Sequence, residues 1–208
     1  MANLTAFKGK IGYGIRPNLF EVTIPSLPTG IGAFTTPAGD VNGADSEFRF
    51  LCRSAGIPAS SIGTVEVPFR GRVIKLPGDR TFESWTVTIM GDPNLSIRSY
   101  FEKWMDKLNE HTSGAGYTGG ASAADFMGTL QVDQLQRGTG APGGGTPAPH
   151  SVLRSYQFLN SFPTNISQID LSYDNNNSIA EYTVEFQYDY WVVSTAAAGS
   201  DSAGNGTI

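Results

Sequence analysis

Apolar and polar residues alternate along most of the chain with the two-residue period of β-strands. The longest alternation spans residues 180–191, where the apolar positions are Tyr182, Val184, Phe186, Tyr188 and Tyr190. Successive side chains of a strand point to opposite faces, so this pattern predicts one long strand with a buried aromatic face. Shorter alternations predict further strands in FEVTI, SWTVTIM, GTLQVDQL, VLRSYQFLNSF and ISQIDLSY. The sequence therefore predicts a mainly β protein.

One segment changes to the spacing of an α-helix. Between residues 92 and 111, apolar side chains recur at intervals that place them on one helix face; they are Ile97, Phe101, Trp104, Met105 and Leu108. Asp92 is a residue type that caps helix N-termini, and Pro93 suits the first helical position. The pattern predicts a helix that packs this aromatic stripe across the β core. A cofactor-binding role for the aromatics is the alternative interpretation.

A basic segment between two short strand patterns predicts a β-hairpin. TVEVPF and RVIKL flank the dipeptide Arg70–Gly71, and Pro68 favours an edge position because proline donates no ladder hydrogen bond. Residues 65–85 hold four cations, Arg70, Arg72, Lys75 and Arg80, and three acids, Glu66, Asp79 and Glu83. Mixed charges of this kind set the register of a contact with another protein. The alternative is a polyanion- or nucleic-acid-binding β module that uses the four cations.

Stretches without a strand or helix pattern separate these elements. Residues 112–125 and 138–149 are rich in Gly, Ala, Ser, Thr and Pro and are predicted loops, the second inserted between two strands. Strands on both sides of these loops are needed to complete one sheet system. Residues 1–193 are therefore predicted to form a single domain. Residues 194–208 form a C-terminal extension with the composition of a disordered segment.

Charge is scarce and unevenly distributed. Charged residues make up 16% of the 208 residues, and the formal net charge is −5. All 14 lysines and arginines lie between Lys8 and Arg154, whereas the chain from Ser155 onward carries six acids and neither lysine nor arginine. A negative chain disfavours stable, sequence-independent DNA binding. The asymmetry indicates either attraction between opposite ends of neighbouring copies or acids that keep an edge soluble.

The residue types of common catalytic and metal sites are too few or wrongly spaced. Cys52 is the single cysteine and lies in an apolar run, so it is predicted to be a buried structural thiol. His111 and His150 are not at metal-ligand spacing, and the glycine-rich loops lack the ending of a phosphate-binding loop. We therefore predict no enzyme activity, no cofactor and no metal. No secretory leader or transmembrane stretch is expected, which predicts folding in a cytoplasm.

This chain resembles the tail tube protein family of contractile-tailed bacteriophages in residues 50–111, FLCRSAGIPASSIGTVEVPFRGRVIKLPGDRTFESWTVTIMGDPNLSIRSYFEKWMDKLNEH, and in residues 161–191, SFPTNISQIDLSYDNNNSIAEYTVEFQYDYW. The resemblance implies an antiparallel β-sandwich or barrel-like subunit with one flanking α-helix. It also implies hexameric rings that stack into a tube, with strands of neighbouring subunits joined into a continuous barrel that lines the channel.

The resemblance further implies the partners and the setting. Genomic DNA passes through such a tube during infection while an outer sheath contracts. Sheath, baseplate and tail terminator proteins are the implied partners, and the tape measure protein and DNA occupy the lumen transiently. No membrane and no stable nucleic-acid binding is implied, and the location is the virion tail, assembled in the host cytoplasm. The inner tube of a phage-derived injection or secretion system shares the architecture and is the alternative.

Two groups of residues are the candidate functional positions. The resemblance implies that a long hairpin-and-loop arm, at about residues 50–81, reaches a neighbouring subunit in the same ring or in the next ring. Its predicted inter-subunit contacts are Arg70, Arg72, Lys75, Asp79 and Arg80. Glu181, Glu185 and Asp189 are predicted to line the channel, because an acidic wall repels DNA phosphates; alternatively they face the sheath or solvent. The insertion at 138–149 and the extension at 194–208 depart from the family pattern, and we expect them on the outside or between rings.

Overall fold

The computed structural model describes residues 15–28, 47–116, 122–136, 152–174 and 176–194, together with residues 4, 7, 31, 35–36 and 39–40. The predicted insertion at 138–149 and the extension beyond Ser194 lie outside the described residues. The strands are β1 (Phe20–Ser26), β2 (Thr35–Thr36), β3 (Gly39–Asp40), β4 (Cys52–Ala55), β5 (Ser61–Phe69), β6 (Arg72–Thr81), β7 (Trp85–Met90), β8 (Gly128–Leu135), β9 (Val152–Ile166), β10 (Glu181–Gln187) and β11 (Tyr190–Ser194). The helices are α1 (Glu47–Leu51), α2 (Ser96–Leu108) and a 3-10 turn (Ala123–Phe126).

Seven strands form one antiparallel sheet in the order β1-β8-β9-β10-β7-β4, with β11 paired to β9. The end strands β1 and β4 approach each other, and α1 lies against both. Arg49 of α1 also forms an ion pair with Glu21 of β1. The sheet therefore curls into a barrel-like body with α2 on its flank. This architecture confirms the predicted mainly β, antiparallel fold.

Strand β9 holds the two halves of this sheet together. Its first part pairs with β8 on one side and β11 on the other, whereas its last residues pair with β10. The chain bends at Asn160, which has a φ of 55°, and the pairing with β8 shifts register nearby. Asparagine tolerates this left-handed backbone because its short polar side chain bonds locally. In this structure Asn160 Nδ2 donates to Asp189 Oδ2 at 2.7 Å.

Aromatic side chains fill the core between the curled sheet and α2. The buried residues of α2 are Ser96, Ile97, Tyr100, Phe101 and Trp104. The rings of Phe101 and Phe186 meet edge to face with centroids 5.5 Å apart, a favoured geometry for aromatic pairs. Trp104 Nε1 donates to Phe126 O at 2.7 Å. Gly128 makes this fit possible, because a Cβ at that position would lie 3.0 Å from the Trp104 ring.

The start of α2 differs from the prediction. The sequence predicts Pro93 as the first helical residue, but the helix begins at Ser96 because Leu95 has a left-handed backbone with a φ of 49°. Asp92 still satisfies the helix start, since its Oδ2 accepts a hydrogen bond from Ser96 N at 2.7 Å. Of the predicted stripe, Ile97, Phe101 and Trp104 are buried and Leu108 packs against the core, whereas Met105 is only half-buried. Tyr100 is a further buried residue of α2 that the spacing did not single out.

The longest predicted strand is interrupted. The apolar face of β10 is buried as predicted, but the strand ends at Gln187 and β11 begins at Tyr190, which is 45% exposed. The break lies opposite Asn160, where β9 bends, so a straight partner strand cannot follow β9 through this point. The strand predicted in ISQIDLSY is also wrong beyond Ile166, because β9 ends there and residues 167–174 and 176–180 are in neither strand nor helix.

We predict that Phe186→Ala destabilises the body by about 3–5 kcal/mol, because Phe186 is fully buried and its loss leaves a cavity among aromatic rings. The matched control is Thr183→Ala on the other face of β10, where we expect a loss of about 1 kcal/mol or less. Urea denaturation of unassembled subunits measures both free energies of unfolding. Equal losses in the two variants would contradict the assignment of this face to the core.

Candidate assembly surfaces

The predicted hairpin is present as β5 and β6, joined by Arg70 and Gly71. These two residues have φ values of 46° and 81°, as in a type I′ turn, whose twist matches that of the flanking strands. Gly71 adopts this backbone without strain, whereas asparagine or aspartate, rather than arginine, is the usual partner before it.

The hairpin Ser61–Thr81, called the arm below, stands away from the barrel-like body. Its strands pair with each other and form a sheet separate from the seven-stranded one. Every residue of the arm is exposed except Gly78, which is half-buried. A two-stranded ribbon is marginally stable on its own in water. The arm therefore depends on contacts beyond its own two strands.

One face of the arm is apolar, because directly paired residues of an antiparallel ladder share a face. The apolar arm face consists of Val65, Val67, Phe69, Ile74 and Leu76, each 40–58% exposed. Arg72 pairs with Phe69 and ends this face at the tip. The other face carries Glu66 and Lys75, whose charged atoms lie 3.7 Å apart. A contiguous exposed strip of apolar side chains marks an interaction surface.

The structure places the five predicted contact residues on the arm but spreads them along its length. Arg70 is at the tip, with its guanidinium 5.4 Å from the centroid of the Phe69 ring. Lys75 lies midway along the arm and forms its ion pair with Glu66. Asp79 and Arg80 lie near the base of the arm. The charges are spread over both faces and along the whole length of the arm, unlike the convergent cluster of a phosphate-binding site.

The sequence-based prediction of contact residues missed the apolar arm face. Its signal was available in the alternation of Val65, Val67 and Phe69 and of Ile74 and Leu76. An alternating pattern predicts a strand with one apolar side, but it does not tell which body covers that side. The structure adds the missing information, because the arm pairs with no strand of the body among the described residues.

The three predicted channel-lining acids lie in different environments. Glu181 and Glu185 point to the same side of β10, away from the buried face. Glu181 forms an ion pair with Arg53 of β4, which offsets its charge, whereas Glu185 lies opposite Thr86 of β7. Asp189 is exposed in the break between β10 and β11 and accepts the hydrogen bond at the β9 bend. The acids therefore form no single cluster.

A second exposed apolar surface lies between β9 and β10, in described residues 167–174 and 176–180, called the β9–β10 loop. Leu171 is 91% exposed, Ile179 is 67% exposed, and Tyr173 is fully exposed. The charged residues of this loop are Asp170 and Asp174. Three large apolar side chains in water within one loop make it a second candidate contact surface.

The structure confirms Cys52 as a buried thiol, and burial raises its pKa to about 12, which keeps it protonated and unreactive.

On the surface, His111 Nδ1 lies 2.8 Å from Asp106 Oδ1, and this hydrogen bond lowers the pKa of Asp106. In the described ranges, no three His, Cys, Asp or Glu side chains gather into a group able to hold a metal ion. None of the described helices has the length and apolar character to span a bilayer.

A barrel-like β body with an exposed apolar strip on its arm marks a protein that makes contacts through its surface. The chain matches the family described as phage tail tube protein over residues 15–194. It belongs to that family and is therefore a structural subunit of a phage tail, not an enzyme, as the sequence predicted.

Known relatives are similar over nearly the whole chain. The tail tube protein gp19 of Enterobacteria phage T4 is 30% identical over 176 residues, which cover 85% of this chain and 90% of the relative. The tail tube protein of Serratia phage KSP90 is 23% identical over 191 residues, 90% of this chain and 95% of the relative. The sheath/tube terminator of the extracellular contractile injection system PVC shares the fold, with a TM-score of 0.55 at 14% identity over 89% of this chain and 99% of that one.

We predict that Gly71→Ala loosens the arm without destabilising the body. A Cβ at Gly71 would meet nothing within 4 Å, so the cost, about 1 kcal/mol, comes from the left-handed backbone alone. Amide hydrogen exchange is expected to accelerate in residues 61–81 and to stay unchanged in the seven-stranded sheet. Gly56→Ala is the control, because its Cβ also meets open space and its φ is not positive. The same acceleration in both variants would contradict a type I′ turn.

Proposed function

We propose that this chain forms hexameric rings that stack into the inner tube of a contractile phage tail and that the tube conducts genomic DNA. The observation that carries the proposal is the apolar arm face, five apolar side chains that are each 40–58% exposed on a ribbon outside the body. Membership in the tail tube family supports a repeating assembly. The partner of the arm is then another copy of the chain.

The arm suits a heterologous contact. In a heterologous contact, the arm of one copy binds a different surface of an identical neighbour. The same contact repeats from copy to copy and produces closed rings or open filaments. The end strands of the sheet, β1 and β4, offer further edges at which neighbouring copies add strands. Pairing of this kind supports the continuous barrel around the channel.

The rival function, a polyanion-binding module, fits the arm less well. Binding of single-stranded nucleic acid combines net positive charge with exposed aromatic rings for stacking. Phe69 is the single aromatic of the arm, and the Arg70 guanidinium lies over its ring. Relatives at 30% identity come from phages T4 and T6, which favours a phage tail over an injection or secretion system.

Negative-stain electron microscopy and analytical ultracentrifugation of the purified chain test the proposal. We expect rings and tubes and, in parallel, no salt-sensitive binding to duplex DNA. A chain that stays monomeric and binds duplex DNA would overturn the tube and establish the rival function.

We predict that Val67→Asp combined with Ile74→Asp prevents ring and tube formation, because both carboxylates would be buried without partners in the contact. The lost apolar contact and the buried carboxylate together cost about 2 kcal/mol for each substitution, roughly thirtyfold in affinity. Thr64→Asp, on the other face of the arm, is the control and is expected to assemble. Sedimentation velocity measures the assembly, and circular dichroism checks that the body is folded. Unchanged rings in the double variant would contradict a role for the apolar arm face.

We also propose that the polar faces of β7 and β10 line the channel. Opposite their buried residues, these paired strands present Thr86, Thr88, Thr183, Glu185 and Gln187. Negative groups repel phosphates and neutral groups do not attract them, so DNA moves along the channel without being bound. Glu185 and Asp189 supply negative charge, whereas Glu181 contributes less because Arg53 neutralises it.

We predict that Glu185→Lys combined with Asp189→Lys slows DNA ejection while tubes still assemble, since added cations bind phosphates. The control is Glu102→Lys combined with Asp106→Lys on the outer helix α2, which makes the same change in charge. Plaque titres and ejection kinetics of phage carrying each variant measure the effect. Equal infectivity of the two variants would show that these acids do not face the DNA.

We propose the sheath, baseplate and tail terminator proteins as the lasting partners of the tube. A tube inside a contractile tail touches the sheath along its length and the other two at its ends. The tape measure protein and DNA occupy the lumen in turn. Assembly takes place in the host cytoplasm, and the mature subunit is part of the virion tail.

A further inference from the structure

The arm and the β9–β10 loop lie at opposite ends of the same strands. Strand β7 runs from Trp85 to Met90, and the arm ends at Thr81, just before its start. The β9–β10 loop leads into Glu181, whose partner in the ladder is Met90. At this far end Gly91 N donates to Ala180 O at 2.8 Å. The bases of the arm and of the loop therefore lie at opposite ends of β7.

Hydrogen bonds hold the base of the β9–β10 loop in place. Ser167 N donates to Thr183 O at 2.9 Å, and Arg98 Nη1 of α2 donates to Ser167 O at 2.9 Å. Leu171 and Tyr173 follow this base in the chain and are exposed to solvent. The base of the loop is thus fixed, and its exposed apolar residues follow from this base at the end of β7 opposite to the base of the arm.

The charges of the two surfaces are complementary. The arm carries four cations, Arg70, Arg72, Lys75 and Arg80, against two acids, Glu66 and Asp79. The β9–β10 loop carries Asp170 and Asp174 and no cation. The arm therefore carries an excess of positive charge and the loop only negative charge, which attracts arm to loop and disfavours pairing of arm with arm or loop with loop.

We propose that the apolar arm face of one copy docks on the β9–β10 loop of the next copy along the tube axis. The inference rests on the proposed tube and names the surface that the arm grips. Surfaces at opposite ends of one subunit make a head-to-tail contact, which does not close and so continues as a filament. The nine residues of β5 extend about 30 Å at 3.3 Å per residue, enough to reach across a subunit boundary.

Cysteine cross-linking of assembled tubes tests the contact. The test chain carries Val67→Cys on the apolar arm face and Ile179→Cys on the loop, and a short bis-maleimide joins cysteines that lie close together. Cys52 is 8% exposed and provides the same background in every variant. The control chain carries Val67→Cys with Thr112→Cys, an exposed position after α2.

The expected result is a covalent ladder that continues beyond the number of subunits in one ring for the test chain, and loss of that ladder in the control. A ladder that stops at one ring would place the arm on a neighbour in the same ring and overturn the proposal. Tubes that assemble without any cross-link would overturn it as well. Failure of the unmodified chain to form rings or tubes would instead overturn the proposed function on which the inference rests.

A charge exchange provides a second measurement that does not depend on cysteine chemistry. Arg72→Glu and Asp174→Lys are each expected to shorten tubes while leaving rings intact in electron micrographs. The chain with both changes is expected to recover longer tubes, because the reversed charges again oppose each other. Absence of recovery together with absence of the long ladder would exclude the β9–β10 loop as the docking surface.

Discussion

Both halves of the subunit depend on the backbone pairing of β9. This strand hydrogen-bonds to β8 and β11 along its first part and to β10 along its last residues. Its bend at Asn160 turns the two halves toward each other, so that Trp85 stacks on Phe158 with ring centroids 4.4 Å apart. Without that bend the aromatic residues of the two halves would belong to separate faces of one open sheet. The barrel-like body and its flanking helix follow from this single strand.

The register set around β9 also determines where the exposed surfaces lie. Because β10 pairs with β7 from Glu181 to Phe186, the segments that enter these two strands leave the body at opposite ends. The arm precedes β7, and the β9–β10 loop precedes β10. The body has an aromatic core of its own, whereas the arm keeps an apolar face that the rest of the described structure does not cover. A filament needs such a division between a stable body and incomplete ends.

Sequence reasoning predicted the elements whose pattern reflects burial in the chain itself. The alternation in β7, β8 and β10 and the stripe of α2 arise because each faces one core. The bend at Asn160 and the left-handed Leu95 were not predictable, since they result from how neighbouring strands meet. The same limit explains the candidate site. The charged residues of the arm are recognisable in the sequence. The apolar arm face is recognisable as a contact surface only from the structure, because the structure shows that no described residues cover it.

The relative sizes of the forces decide how arm charges and arm apolar residues divide their roles. Completing the burial of a half-exposed Val, Leu, Ile or Phe contributes about 1 kcal/mol, so five such residues outweigh any exposed ion pair, which contributes about 0–1 kcal/mol. The exposed pair of Glu66 and Lys75 therefore adds little to the strength of a contact. Charges act over longer distances than apolar contacts and penalise wrong pairings, so they select the partner surface and its orientation. In the proposed contact, the cations at the tip of the arm would then select the surface that the arm binds, and the apolar arm face would supply most of the affinity.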